Sequence, residues 1–555
     1  EPAEPRRSKR TGPSVYRRTT HLDVSIHSLF ALVRDPEKDP TWQEFVKFPP
    51  DKQLPWINAM KKEWDTLSEL GTFKLVKRSD IKGKPVATGK FVLTRKTDGR
   101  YKARWVVRGF SQVHGVNYHE TFSPVTRSAS VKILVAYAAR FGWYIETGDV
   151  GNAYVNSDID CELFMEQAPM EYLGGYEQSR SEYVLQLVRA LYGTKQAGRL
   201  WHRHIHKTLK ALGYERLQTD ICMYIRRGSD GKFMVLLALY VDDIIATAAT
   251  RQALDELWSG LEQHYSLRRL GEVNDFLGLQ LKYNREARSV VVYQARYAAE
   301  VLERFQMSEC HPVKTPVPVG WTFDTDSTEL NQSQLSLYRA MVGSIMFLVT
   351  SSRPDMYYLA VLLSKGMASP TEATLRLAKR GLRYIKGTID WGLHFGQDMP
   401  LRGYADADFA GSNFGRKSLT GFCFMFNGAA INSGTKQQPL VCLSTCEAEY
   451  LALSQAAKEA MYLRQLFVEL GLWNDHEPIM ILGDNECANQ LTADPIAHSR
   501  TKHIEIRFHH IRQHIEDRKL VINKVHTDDN LADLFTKPMA AERHLRLTKL
   551  VLGMD

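Results

Sequence analysis

Two adjacent carboxylates, Asp242 and Asp243, interrupt a long apolar stretch. Residues 233–241 carry no charge, and Ile244 and Ile245 resume the apolar run. A segment rich in Leu and Val, broken by a polar pair, reads as a buried strand, a tight turn and a second strand. An ordinary hairpin would favour Gly at the second turn position. Two carboxylates at the tip of an apolar hairpin repel each other, and a divalent cation relieves that repulsion. The pair is therefore a candidate metal site, weighed against a plain hairpin whose turn happens to be Asp-Asp.

A second set of acids lies far downstream. Residues 403–410 alternate as a strand, with Tyr404, Asp406 and Asp408 on one face. Extended segments follow at 420–426 and 440–443, with Asn427-Gly428 as a turn. A long helix then opens at Ser444 and stops at Gly471. Ser444 with Glu447 three residues on makes a capping box, which gives Glu447 a structural task and leaves Glu449 free for chemistry. Residues 478–484 form a buried strand ending in Asp484, and residues 525–537 close a last strand and open a helix carrying Asp533. Strands alternating with helices bring such ends to one edge of a sheet. Capping or solvation would explain each acid singly, but less easily all four.

The chain that must position these groups has 555 residues, too many for one core, so two to four domains are expected. Its 44% hydrophobic and 24% charged residues are an ordinary globular composition. No apolar run approaches the ~18 residues of a membrane span. The seven cysteines show no C-x-x-C spacing and are odd in number, which speaks against a zinc module or a disulfide framework and fits a reducing compartment. The formal charge of +9 suits a polyanionic partner. Residues 1–20, rich in Pro, Arg, Ser and Thr, are expected to be disordered.

Tyr240-Val241-Asp242-Asp243 resembles the active-site tetrapeptide of reverse transcriptases, and the surrounding sequence resembles the copia type of LTR retrotransposon. Companions stand in the same order along the chain. Residues 143–155 read as a strand ending in Asp149. Two adjacent turn residues cannot surround two cations, so a third carboxylate from another strand is required, and Asp149 stands at the family's position for it. Residues 90–110 read as a hairpin with alternating cations (Arg95, Lys96, Lys102, Arg104, Arg108). Taken alone this is a solvated strand face, whereas the resemblance implies a fingers hairpin with Arg104 on the incoming triphosphate. Arg95 or Lys96 is a weaker candidate for the same task. Residues 190–201 (ALYGTKQAGRLW) resemble a copia signature segment, departing from it at Thr194 and Gly198.

From the resemblance, Tyr154 would lie beneath the nucleotide sugar and Gln196 would contact sugar and base. Phe276-Leu277-Gly278 would hold the primer terminus. Asp406, Glu449, Asp484 and Asp533 would be the acidic quartet of an RNase H fold. His526 would assist product release, although its spacing to Asp533 is shorter than in retroviral relatives. His202 and His206 share a helical face without Cys or acidic partners, so nucleic-acid contact is favoured there over metal.

The expected fold class is α+β multidomain: a right-hand polymerase (fingers, palm, thumb), a helical connection and an α/β RNase H-like domain. Its boundaries are 1–41 linker, 42–250 fingers and palm, 251–314 primer grip and thumb, 315–397 connection, 398–545 RNase H-like and 546–555 tail. The resemblance implies an RNA- and DNA-directed DNA polymerase with RNase H, holding two Mg2+ per active site, with Mn2+ as the alternative ion. Asp149, Asp242 and Asp243 would ligate them in one site, and Asp406, Glu449, Asp484 and Asp533 in the other. Implied partners are RNA template, DNA primer, RNA–DNA hybrid, dNTPs, and integrase and protease domains of a precursor from which this fragment derives; a homodimer is compatible. The implied location is a cytoplasmic virus-like particle or the nucleus, without a membrane. The alternatives are an inactive, domesticated nucleic-acid-binding remnant and a polymerase without active nuclease.

Overall fold

The computed structural model describes residues 39–96, 98–169, 172–173, 180–228, 231, 233–323, 327–493 and 505–554. The expected basic arm, 1–20, lies outside them. Helix α1 (Pro50–Glu69) starts with Pro at its first position, where a missing N–H costs nothing. It buries Trp56, Met60, Trp64 and Leu67 at helical spacing. These side chains pack on the antiparallel hairpin β1 (Gly89–Arg95) and β2 (Tyr101–Val107), through Phe91, Leu93, Ala103 and Trp105. Strand alternation sends Lys102 and Arg104 to the other face, where both are half-buried.

The apolar stretch around the Asp pair forms the middle of a six-stranded sheet. Its elements are α2 (Ser128–Phe141), β3 (Tyr144–Val150), α3 (Ala197–Ala211), β4 (Met223–Arg227), β5 (Phe233–Tyr240), β6 (Asp243–Ala248), α4 (Arg251–Glu262) and β7 (Leu267–Glu272). The strand order is β7-β3-β6-β5-β4, with the short strand Glu215–Arg216 at the edge. Val235, Leu237, Leu239, Ile244 and Ala246 face α3 and α4, packing with Trp201, Leu254 and Trp258. Leu236, Ala238, Tyr240 and Ile245 face the opposite side, in the core that holds α2. Both faces are covered, which explains why the alternation is hidden in a continuous apolar run.

Two strands, β8 (Leu279–Asn284) and β9 (Ser289–Tyr293), and helix α5 (Ala295–Arg304) follow. Three helices come next: α6 (Gln332–Ser351), α7 (Tyr357–Gly366) and α8 (Glu372–Gly387). The strand β10 (Gly392–Phe395) then returns to pair with β9. A strand from the segment expected as connection thus completes the sheet begun in the segment expected as primer grip and thumb. Within that core Arg353 and Asp355, 3% and 0% exposed, form a bidentate pair at 2.9 and 2.8 Å. Thr388 accepts further bonds from Arg353, and the Tyr384 hydroxyl donates to Asp355 at 2.7 Å. A buried ion pair is tolerable when its remaining valences are met in this way.

The last sheet has the order β13-β12-β11-β14-β15. Its strands are β11 (Arg402–Asp408), β12 (Leu419–Phe426), β13 (Ala429–Gln437), β14 (Ile479–Gly483) and β15 (Leu520–Lys524), of which β11, β14 and β15 run parallel. Helices α9 (Thr445–Glu469), α10 (Glu486–Ala493), α11 (Glu505–Glu516) and α12 (Ala541–Leu552) complete the unit.

The structure departs from three local expectations. The third strand is Ala429–Gln437, whereas residues 440–443 are irregular, with Leu443 91% exposed. The strand escaped notice because pairing with β12 and small residues, not bulky side chains, hold it. The last strand ends at Lys524, and Asp533 lies in a 3-10 turn (Leu531–Phe535), not a long helix. Ser444 does cap α9, accepting from the Glu447 N–H at 3.2 Å, but the Glu447 carboxylate accepts from Leu443 N–H, one residue earlier than a reciprocal capping box requires.

The units built on the two large sheets meet through helices and turns. The Asn427 side chain donates to the Ala136 carbonyl at 3.0 Å, Glu469 accepts from the Gln218 and Thr219 amides, and Arg127 lies 4.2 Å over the Tyr462 ring. Among the described residues no helix is long and apolar enough to cross a membrane.

Candidate functional site

The first acidic centre is built by strand register. Asp243 opens β6 directly opposite Asp149 on β3. Asp242 sits in the two-residue turn between β5 and β6, and its carbonyl accepts from Val150 N–H at 2.9 Å. The turn is thus Val241-Asp242 rather than Asp-Asp. Val241 has φ +59°, a left-handed conformation that a β-branched residue adopts only under constraint. The constraint is visible: Trp201 Nε1 on α3 donates to the Val241 carbonyl at 2.6 Å.

Like charges directly opposed on a sheet are destabilising. Burial, then Asp242 and Asp149, push the Asp243 carboxyl up to about 7. Burial and Asp149 likewise raise Asp242, against the opposing pull of Arg104 and Lys102. Those two cations reach across from β2. Lys102 was expected only on a solvated strand face, yet it interacts with both Asp149 and Asp242, and burial followed by Arg104 lowers its pKa. Arg104 lies 5.3 Å over the Tyr192 ring, which meets Tyr154 edge-on at 4.8 Å. Burial, followed by Asp242, raises the Tyr154 hydroxyl to about 12. Tyr192 is a member of this group that the sequence reading passed over. An aromatic between two candidate substrate contacts was its only signal.

Gln196 does not reach the open site. It is 0% exposed, its amide donates to the Asn117 carbonyl at 3.0 Å, and its oxygen accepts from Gln112 at 3.0 Å. The loop carrying Gln112 and Asn117 closes over it, so Gln196 is engaged by that loop. Phe276 is also buried, 5% exposed, in the main core. Leu277 and Gly278, both at positive φ, form the tight turn into β8, and Gly278 is exposed. Only the tip of the tripeptide is therefore presented. The His202 ring meets the Ile221 carbonyl at 3.2 Å.

The second centre lies where the parallel strands of the five-stranded sheet end. Asp406 on β11, Glu449 in the second turn of α9 and Asp484 after β14 bring one ligand atom each to within 4.8 Å of one another. Among the described residues this is the one acidic or thiol–imidazole group that meets that spacing. Asp406 and Glu449 are buried, and Asp484 is half-buried. Burial, then Asp406 and Asp484, raise Glu449 to about 10. Three converging carboxylate oxygens are a donor set suited to a hard divalent cation.

Asp533 adjoins Asp406 and is engaged by cations of its own unit. It is fully buried and paired with Lys537 Nζ at 2.7 Å and Arg543 Nη2 at 2.5 Å. Lys537 also reaches Asp406 at 3.5 Å, and the Thr536 hydroxyl donates to Asp406. Burial and Asp406 raise Asp533 to about 7. Gly421, opposite Asp406 across the sheet, makes room for this turn: a Cβ there would lie 2.6 Å from Thr536 Cγ2. Thr536, Lys537 and Arg543 were not foreseen, because their approach to Asp406 or Asp533 depends on tertiary packing. His526 is exposed, and its Nδ1 accepts from Asp528 N–H at 3.3 Å.

Comparison with known proteins adds to this geometry. Residues 71–319 match the family described as "Reverse transcriptase (RNA-dependent DNA polymerase)". The Pol polyprotein of transposon TNT 1-94 from Nicotiana tabacum is 34% identical over 95% of this chain and 40% of its own length. That of transposon RE1 from Arabidopsis thaliana is 34% identical over 87% of this chain and 33% of its own. A putative transposon Ty5-1 protein from Saccharomyces cerevisiae is 30% identical over 56% of this chain and 99% of its own length. This chain thus spans about 40% of the tobacco relative and a third of the Arabidopsis one.

Proposed function

The chain belongs to the copia-type retrotransposon Pol family, and on that premise we propose that it is an RNA- and DNA-directed DNA polymerase with a C-terminal ribonuclease H. The six-stranded sheet serves as palm, the β1–β2 hairpin as fingers, and the five-stranded sheet as the nuclease. The observation that carries the polymerase reading is the register of Asp149 against Asp243 beside Asp242, under Lys102 and Arg104.

The residues divide the work by their chemistry. Asp149, Asp242 and Asp243 offer oxygen ligands on one sheet edge. Divalent cations, Mg2+ by the all-oxygen donor set, would neutralise the triphosphate and activate the primer 3′ oxygen there. Arg104 grips a phosphate in two-pronged fashion, and Lys102 adds a point charge. Tyr154, backed by Tyr192, walls the position of the nucleotide sugar. Leu277-Gly278 offers a backbone turn against the primer. In the second centre Asp406, Glu449 and Asp484 would hold the cations of RNA-strand hydrolysis, with Asp533 joining if Lys537 is displaced. Partners on this reading are RNA template, DNA primer, RNA–DNA hybrid and dNTPs, within a precursor that also holds integrase and protease.

One observation favours a second reading, polymerase with a silent nuclease. Lys537 already stands between Asp406 and Asp533, where it supplies the positive charge that a cation would bring. A single assay separates the readings: a labelled RNA template with a DNA primer, dNTPs and Mg2+, scored for extension and template degradation together. Extension with degradation supports the first reading, extension alone the second, and neither defeats both.

A further inference from the structure

Cys446 lies in the first turn of α9, three residues before Glu449. Cys487 lies in the first turn of α10, three residues after Asp484. Their sulfurs are 2.8 Å apart, closer than unbonded sulfurs ordinarily approach. Cys487 is exposed and Cys446 half-buried, so a small reagent can reach the pair. Cys222, Cys423 and Cys442 are buried. Neither thiol is needed for the proposed chemistry of the acidic centre, and their spacing of 41 residues gives no disulfide signature in the sequence.

We propose that Cys446 and Cys487 form a reversible dithiol–disulfide site that takes a low-molecular-weight disulfide of the glutathione type as its oxidant. Its closure clamps together the two segments that carry Glu449 and Asp484. The effect on cleavage rests on the nuclease reading above; the existence of the site does not. Exposed Cys487, as thiolate, attacks oxidised glutathione, forming a mixed disulfide and releasing one glutathione thiol. Cys446 then gives up its proton and attacks the Cys487 sulfur, releasing the second. In sum, two protein thiols lose two electrons and two protons, and one oxidised glutathione becomes two reduced ones.

The bond draws the sulfurs from 2.8 Å to about 2.05 Å. The fold can absorb that, but it fixes the gap across which two carboxylates must adjust around their ligand. A displacement of ~1 Å near a reacting centre can cost ~10²-fold in rate, so a loss of at least ~10-fold in cleavage is expected.

The test uses the full chain, incubated with oxidised glutathione or with dithiothreitol, then mapped by mass spectrometry without reduction. Primer extension and RNA cleavage in a preformed hybrid are measured on the same samples. The expected result is a linked peptide joining Cys446 and Cys487, cleavage reduced at least ~10-fold and restored by dithiothreitol, and unchanged extension. Cys487→Ser should cleave like the reduced wild type and be insensitive to oxidised glutathione. Absence of the linked peptide, with glutathione on Cys161 or Cys310 instead, would overturn the site. A linked peptide with undiminished cleavage would overturn the clamp. If the reduced protein cleaves no hybrid, the nuclease reading fails, and the linked peptide still decides whether the dithiol site exists.

Discussion

At the Val241-Asp242 turn the carboxylates are half-buried, and the nearby cations Lys102 and Arg104 come from a different unit of the chain. At the edge of the five-stranded sheet Asp406 and Asp533 are almost fully buried, and Lys537 and Arg543 come from the same unit, only 4 and 10 residues beyond Asp533. The first centre is an open electrostatic problem whose cations are supplied by a separate hairpin. In the second, Asp406 and Asp533 are already balanced before any ligand arrives. Similar acidic chemistry can therefore be tuned for access in one place and for stability in another.

The sharpest way to break this comparison is to inactivate the centres one at a time. Asp242→Asn should lower primer extension at least ~10³-fold, about 4 kcal/mol of barrier, while leaving RNA cleavage in a preformed hybrid within ~2-fold. Asp484→Asn should do the reverse. Loss of both activities from either change, in a protein whose circular dichroism is native, would mean that the two clusters serve one site.

A second effect should fall on stability in one centre only. Lys537→Met removes the cation between Asp406 and Asp533, leaving Asp406 with the Thr536 hydroxyl and Asp533 with Arg543; breaking a buried pair typically costs 3–5 kcal/mol. Because Lys537 is one-third exposed, we expect the lower end, about 3 kcal/mol. Added Mg2+ should recover part of it if the ion takes the vacated place. Lys102→Met should lower dNTP affinity but barely move the unfolding midpoint. Urea unfolding of both variants, with and without Mg2+, decides the matter. Equal destabilisation of the two would erase the contrast drawn here.

The open character of the first centre also makes a prediction about selectivity. Tyr154 follows Asp149 by five residues, and its ring is held between Asp242 and Tyr192. A buried ring offers no partner for a 2′-hydroxyl. Tyr154→Val should raise the rNTP/dNTP ratio of kcat/KM by ~10²–10³-fold, or about 3–4 kcal/mol. An unchanged ratio in an active variant would return Tyr154 to a packing role.

Much of this was legible because the signals are local. The Asp242-Asp243 pair lies inside one apolar hairpin, and Asp149, Asp406 and Asp484 lie at or just beyond strand ends. What was not legible depends on distant segments closing over one another. Gln196 looked available until the loop through Gln112 and Asn117 sealed it. Lys102 looked like any cation on a solvated strand, because nothing in β2 tells which face meets the carboxylates. The strand Ala429–Gln437 lacks bulky residues and is defined by its register with β12, whereas residues 440–443 had the apolar bulk but no place in the sheet. Asp533 was found from its family position, yet its partners Lys537 and Arg543 are brought to it by a 3-10 turn and by α12.

The smallest expected effect concerns how α12, which carries Arg543, is seated. His544 on that helix is buried, 5% exposed, edge-on to Tyr384 at 5.5 Å and beside the Arg353–Asp355 pair. Burial lowers its pKa to about 4, although Asp355 pulls the other way. An unfolded histidine titrates near ~6.5, so as pH falls the unfolded chain takes up the proton first. The contribution is therefore complete above about 6.5 and is lost progressively as pH falls toward 4. Between pH 7 and pH 5 the loss should be about 2 kcal/mol, since each unit of pKa difference corresponds to 1.36 kcal/mol. His544→Phe keeps the ring contact with Tyr384 and should remove that part of the slope. The measurement is urea unfolding of wild type and variant at pH 7, 6 and 5. The groups facing His544, namely Asp355, Arg353 and the Tyr384 hydroxyl, are retained in both proteins, so they cancel in the difference. Parallel stability curves for the two proteins would show that His544 takes its proton in the folded protein as readily as in the unfolded chain.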